Sequence, residues 1–189
     1  MPPLLSLCAH RTSLSLHRAI ICSVAATLSL PMLYARLQLA LPQVRTVLVA
    51  PPRSFLDPYP VAKELAALAA AAGCSVRLVA VSAAGEAPSQ GRPDPSAATT
   101  TQDDIELLTL PEAGLGNVER LREILAPARD LTVVSAGGLL DSPVSILAAS
   151  IVDGVVVVAR PGKTTRSDLS RVKLDVERAG GRIAGAVMV

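Results

Sequence analysis

At 189 residues the chain suits one domain, or one domain with a tail. Half of it is hydrophobic and 18% is charged, which excludes disorder over the whole length. Aromatic residues make up 2%, with a single Phe and no Trp, and the net charge is +2, so a nucleic acid is offered neither a basic excess nor a stacking platform. The core must be built from Ala, Val, Leu and Ile, which suits a parallel sheet wrapped by helices better than an aromatic-rich sandwich. Cys8, Cys22 and Cys74 are too few and too scattered for a disulfide framework or a zinc site. A reducing cytosol is the simplest compartment.

Residues 1–18 carry no acid, and no charge occurs from Ala19 to Ala35, between Arg18 and Arg36. That uncharged run is at the lower limit for a membrane-spanning helix, about 17 residues, and Ser23, Thr27, Ser29 and Pro31 dilute it. A spanning helix, a secretory signal and a docking or poorly ordered lead segment compete for it. The reading adopted is the last, with residues 1–40 as an apolar segment and lead-in helix ahead of a domain at 41–189. The protein is then expected to be soluble or peripheral at the inner face of the cell membrane, rather than inserted.

From residue 41 onward, short apolar runs alternate with helical patterns. Arg45–Ala50 (RTVLVA) reads as a buried strand, Val61–Ala72 as an Ala/Leu helix ending at Gly73, and Ser75–Val81 as a second strand. Ala83–Gln102 has no hydrophobic period and reads as a flexible loop. Ile105–Leu110 is a candidate strand and Asn117–Leu125 a helix capped by Asn117. Leu131–Ala136 is the next strand and Pro143–Ile151 a short helix. Gly154–Ala159 (GVVVVA) is apolar on both faces and therefore central. Thr165–Ala179 is an amphipathic helix with Leu169, Val172, Leu174 and Val176 as its apolar surface, and Ile183–Val189 a final strand. Strands separated by helices give right-handed crossovers and a parallel sheet, hence a three-layer α/β fold.

Two stretches carry a family resemblance: IVDGVVVVARPGKTTRSDLSRVKLDVERAGGRIAGAVMV, Ile151–Val189, and YARLQLALPQVRTVLVA, Tyr34–Ala50. They resemble the last strands with their G-K-T-T-R turn, and the R-x-x-L helix before the first strand, of the P-loop ATPase domain of bacterial tyrosine kinases that control capsule and exopolysaccharide export. That domain belongs to the wider MinD/ParA-like group, and the resemblance covers about four-fifths of the chain. It implies a P-loop NTPase-like fold with a phosphate loop after the first strand.

Gly162-Lys163-Thr164 looks like the end of a Walker A motif, but the glycine required five positions earlier is Val157, and the triplet follows a late strand. It reads instead as a turn into a helix capped by Thr164 or Thr165 with help from Asp168. Contact with a partner is the competing reading.

The resemblance puts the phosphate loop at Ala50–Pro60. Phe55 and Asp57 then fall on loop glycines, Pro58 on the phosphate-binding lysine, and Tyr59 on the Ser/Thr that would hold magnesium. A phosphate loop works by turning backbone N–H groups inward at a helix N-terminus, and Pro58 and Pro60 have none to offer. Asp57 is expected to cap the following helix with Pro58 at its first position. The two acids that the family carries at strand ends fall on Ala80, with Ser82 covering a second acid beyond it, and on Ser135. Asp141 is a possible substitute ligand, though the expected role is a helix cap next to Ser142-Pro143. The family's tyrosine-rich tail has no counterpart here, the only tyrosines being Tyr34 and Tyr59. His10 and His17 precede the domain, and no Ser/His/Asp or Cys/His set replaces the missing chemistry.

Two functions follow. The first is a non-catalytic, pseudo-kinase domain with no cofactor, acting in polysaccharide biosynthesis or export. Its partners would be a membrane-embedded chain-length regulator or a kinase paralogue, with self-association also possible. Arg36, Arg45 and the Arg166/Arg171/Arg178 face are the candidate surfaces. The second is a tyrosine kinase or ATPase using ATP and magnesium through an unorthodox site, with Lys163 or Lys63 on phosphate, although Lys63 lies on the helix after the loop at a position that reads as exposed.

Overall fold

The computed structural model describes residues 30–32, 34–35, 44–82, 100–102, 105–112, 115, 118–126 and 129–189. The uncharged stretch Ala19–Ala35 for the most part, His10, His17, Arg36, the proposed cap Asn117 and most of the loop 83–102 lie outside them. Among the described residues no helix is long and apolar enough to cross a membrane.

The elements run β1 (Thr46–Ala50), α1 (Tyr59–Ala71), β2 (Val76–Ser82), β3 (Thr100–Gln102), β4 (Ile105–Pro111), α2 (Val118–Leu125), β5 (Leu131–Ser135), α3 (Pro143–Ala149), β6 (Gly154–Ala159), α4 (Arg166–Arg178) and β7 (Ile183–Met188). They form one sheet in the order β3-β4-β2-β5-β1-β6-β7. Every pairing is parallel except β3 with β4. The expected loop through Gln102 is corrected at its end, where Thr100–Gln102 forms this short antiparallel strand. Its three residues, Thr-Thr-Gln, are all polar, so no hydrophobic pattern marks them.

β1 and β6 lie side by side in the interior of the sheet, and both are buried along their whole length. β6, expected to be central, is second from the edge, with only β7 beyond it. On one face, Val47, Val49, Leu78, Val133, Val156 and Val158 meet α1 through Val61, Ala62, Leu65, Ala66 and Ala69. On the other, Leu48, Val79, Val134, Val155 and Val157 meet α2, α3 and α4. Three layers result, as the alternating pattern requires. Gly73, with φ +88°, ends the first helix as expected. One assignment on α4 changes. Val172 and Val176 are buried and Leu169 is half-buried, but Leu174 is 46% exposed. It sits two residues from each buried valine, about 200° around a helix of 3.6 residues per turn.

Asp153 ties the start of β1 to β6: its Oδ2 accepts from the Arg45 and Thr46 N–H groups and from Thr46 Oγ1, each at 2.8 Å. Pinned there, β1 delivers its C-terminal end, and the loop that follows, to one edge of the sheet.

Val156 has no exposed surface and neighbours on both sides. Val156→Asp places an unpaired charge there at several kcal/mol, against a whole-domain stability of about 5–15 kcal/mol. Insoluble protein on expression is the expected outcome, and a soluble variant with a cooperative melt would contradict the buried placement of β6.

Candidate functional site

The loop after β1, residues 51–58, lies at the C-terminal edge of the sheet, where the strand has β5 on one side and β6 on the other. Its prolines fix its character. Pro51, Pro52 and Pro58 have no N–H, and the carbonyls of Pro51 and Pro52 accept from Leu139 N and Leu140 N at 2.9 Å each. The loop therefore presents acceptors to its neighbour, the segment between β5 and α3. One of its amides, and the first amide of α1 just after it, serve the chain's own carboxylates. Ser54 N donates to Asp141 Oδ2 at 2.7 Å, and Tyr59 N donates to Asp57 Oδ1 at 2.9 Å.

The two loops touch backbone to backbone. Ser54 Oγ accepts from Gly138 N at 3.2 Å. A Cβ on Gly138 would stand 2.5 Å from Ser54 N and 2.6 Å from the Arg53 carbonyl carbon, a distance real Cβ atoms do not reach. Only glycine fits this approach.

Arg53 links this contact to α4. Its Nε donates to Asp168 Oδ1 at 2.9 Å, and its Nη1 lies 3.7 Å from Asp141 Oδ1. Asp168 also closes a capping box, its Oδ2 accepting from Thr165 N at 3.2 Å while its own N–H donates to Thr165 Oγ1 at 3.0 Å; the same Oδ2 accepts from Thr165 Oγ1 at 2.7 Å. Hydrogen bonds from Thr165 and then from Arg53 hold the Asp168 carboxyl below its ordinary range. The cap expected from Thr164 or Thr165 is thus Thr165. Thr164 instead accepts from Arg160 N at 2.9 Å and closes the turn at Gly162, φ +75°. Lys163 is exposed on that turn, and Lys63 is exposed on α1.

The remaining positions are spread by depth. Phe55 is 42% exposed in the loop, whereas Pro58 is buried and Tyr59 is packed in the core as the first residue of α1. Ala80 and Ser135, the positions at which the resemblance puts acids, are cross-strand partners at the ends of β2 and β5. Both are buried, and among the described residues Ser135 Oγ has no hydrogen-bond partner. No group of three or more His, Cys, Asp or Glu there is placed to hold a metal.

Two expectations are corrected. Asp141 does not cap α3: Ser142 does, accepting from Ser145 N at 3.2 Å, which leaves Asp141 to reach back to Ser54 and Arg53. The helix position with its carbonyl on the first helical bond is Pro58, which accepts from Ala62 N at 3.0 Å. Asp57 satisfies the Tyr59 amide from one residue earlier. Arg53, Ser54 and Gly138 were not legible as site residues. Their partners lie 84 to 115 positions away, and no local pattern marks such pairs.

Gly138→Ala should destabilise the domain by about 1–3 kcal/mol, the usual cost of overpacking, read as a lower urea midpoint with unchanged slope. The Asp168 contacts act with a defined sign. Because its folded pKa is depressed, their contribution is fully present above the unfolded value of about 3.9 and is lost as pH falls through the lower folded value. Asp168→Asn should flatten this part of the acid limb; an acid limb identical to wild type would contradict the role given to the Thr165 and Arg53 contacts of Asp168.

No family model matches the chain, and no curated protein matches it by sequence. Solved structures do. The kinase domain of the Escherichia coli tyrosine kinase ETK superimposes with a TM-score of 0.70 at 19% identity, over 94% of this chain and 84% of that one. The chimerical protein CapA2B2 gives 0.69 at 15%, covering 90% of this chain and 89% of its own. The BceF tyrosine kinase domain gives 0.62 at 16%, over 89% and 81%. A plasmid partition protein from Borrelia burgdorferi is more distant, at 0.54 and 12% identity over 77% of each chain. At such identities the likeness establishes architecture, and the architecture is the P-loop NTPase-like fold of bacterial tyrosine kinase domains.

Proposed function

We propose that this chain is a non-catalytic domain on the bacterial tyrosine kinase fold, acting by protein–protein interaction in capsule or exopolysaccharide biosynthesis or export. The observation that carries the reading is the state of the loop amides. In a phosphate loop such groups face an anion from outside, whereas here Ser54 N and Tyr59 N face Asp141 and Asp57. Carboxylates in that place repel a phosphate, and Gly138 against Ser54 supports the same reading by closing the space between the loops. The loop prolines, and Ala80 and Ser135 where acids would direct magnesium, add to it. ATP and magnesium do not fit these residues. The polysaccharide context comes from the sequence resemblance. A membrane-embedded chain-length regulator or an active kinase paralogue is the proposed partner, at the inner face of the cell membrane.

Calorimetry with magnesium-ATP at millimolar concentration should show no binding. Loop amides, a phosphate lysine and metal-directing acids each contribute a few kcal/mol in phosphoryl-transfer sites, while micromolar affinity amounts to only about 8 kcal/mol. Replacing Phe55, Asp57, Pro58 and Tyr59 by Gly, Gly, Lys and Ser, together with Asp141→Ala to release the Ser54 amide, should recover weak phosphate binding without turnover. Because Tyr59 is a core residue, each variant is first checked for a cooperative melt. Ala80→Asp and Ser135→Asp should be needed before magnesium dependence appears. Saturable ATP binding by the unmodified chain, lost on Lys163→Ala, would establish the kinase or ATPase reading instead.

A further inference from the structure

The cations of the C-terminal third are not equivalent. On the later turns of α4, Arg171 and Arg178 lie within 4.0 Å of Asp175, and Lys173 lies 3.8 Å from Glu177. Arg53, at the former phosphate-loop position, is neutralised by Asp168. Arg160, Lys163 and Arg166 have no such partner among the described residues, and all three are exposed. They fall within seven residues that contain no acid, RPGKTTR.

These three charges sit on a stiff support. The Arg160 carbonyl accepts from Lys163 N at 3.1 Å and Thr164 N at 2.9 Å, and the Arg160 N–H donates to Thr164 Oγ1 at 2.9 Å. The capping box at Thr165–Asp168 fixes the start of the helix immediately after it. Backbone atoms and threonines hold the turn, so the cationic side chains are free of structural duty. Arg53 bonded to Asp168 brings the loop after β1 to the same place, and two residues from Arg53 is Phe55, the chain's only Phe, 42% exposed.

We infer that this edge of the domain, Arg160, Lys163 and Arg166 after β6 with Phe55 on the loop after the neighbouring β1, is a docking surface for an anionic lipid bilayer. Basic side chains on a rigid loop gain attraction from an anionic leaflet, and an exposed aromatic ring enters the headgroup layer. Both belong to the same edge here, whereas an ordinary solvated helix face pairs its charges, as the later turns of α4 do. The inference is independent of whether nucleotide binds, and it specifies which side of the domain turns toward a membrane.

The test is co-sedimentation of the full chain with vesicles of phosphatidylglycerol in phosphatidylcholine, against phosphatidylcholine alone. Wild type should bind the anionic vesicles selectively and be released by high salt. Changing Arg160, Lys163 and Arg166 together to Gln should weaken binding about a hundredfold, and each single change about fivefold. Phe55→Ser should weaken it while leaving the salt dependence in place. Arg171→Gln with Arg178→Gln is the control and should bind like wild type. Because residues 1–43 are present in every variant, any lipid affinity of their own cancels. The inference is overturned if wild type ignores charge in the vesicle, if the triple variant and the singles bind like wild type, or if the control loses as much as the triple.

Discussion

A strand with valine on both of its faces needs cover on both. In β6 four consecutive valines, Val155 to Val158, are at most 2% exposed, and that is possible only if helices lie above and below the sheet. Burying β6 places β1 beside it, with Asp153 fixing the register at the start of the pair. The order of the sheet then decides which loops meet. With β5 and β6 flanking β1, the segments after all three strands emerge at one edge, and Arg53, Asp141 and Asp168 come together from positions far apart in the chain.

What this edge does chemically depends on which groups point into the space between the loops. Proline removes donors, and the carbonyls it leaves behind bond to the neighbouring backbone. Aspartates meet amides at Ser54 and Tyr59. Glycine at 138 allows the two backbones into contact, so the loops hold one another. The arrangement is self-satisfied. Its ion pair is half-exposed at Arg53 and serves to orient the loop more than to stabilise the domain.

Much of the architecture was legible because period and punctuation agreed. GVVVVA is too apolar for an edge, Gly73 stops a helix of alanines and leucines, and Thr165 with Asp168 announces a capping box. Local composition failed where it carried no such signal. β3 is three polar residues recruited by backbone pairing, and Leu174 looked like core until helix geometry turned it outward. At the site, the loop's replacements could be read position by position from the resemblance, and their neighbours could not. Asp141 next to Ser142-Pro143 has every local mark of a cap. It is displaced by Ser142 one position later and spends its carboxylate on a loop 87 residues earlier.

The placement of β1 also has a consequence for how the chain is made. Its ladder partners are β5 and β6, and the Asp153 carboxylate that anchors it lies 107 residues downstream of Thr46. A ribosome adding about 5–20 residues per second takes roughly 5–20 s to cover that distance. For most of this interval, until β5 is made, Val47, Leu48 and Val49 have no strand to pair with, while α1 and β2, made directly after them, offer only a helix and a non-adjacent strand. The nascent first half is thus a sticky, half-built layer, a natural client for a holding chaperone until β6 leaves the exit tunnel and slots in beside it.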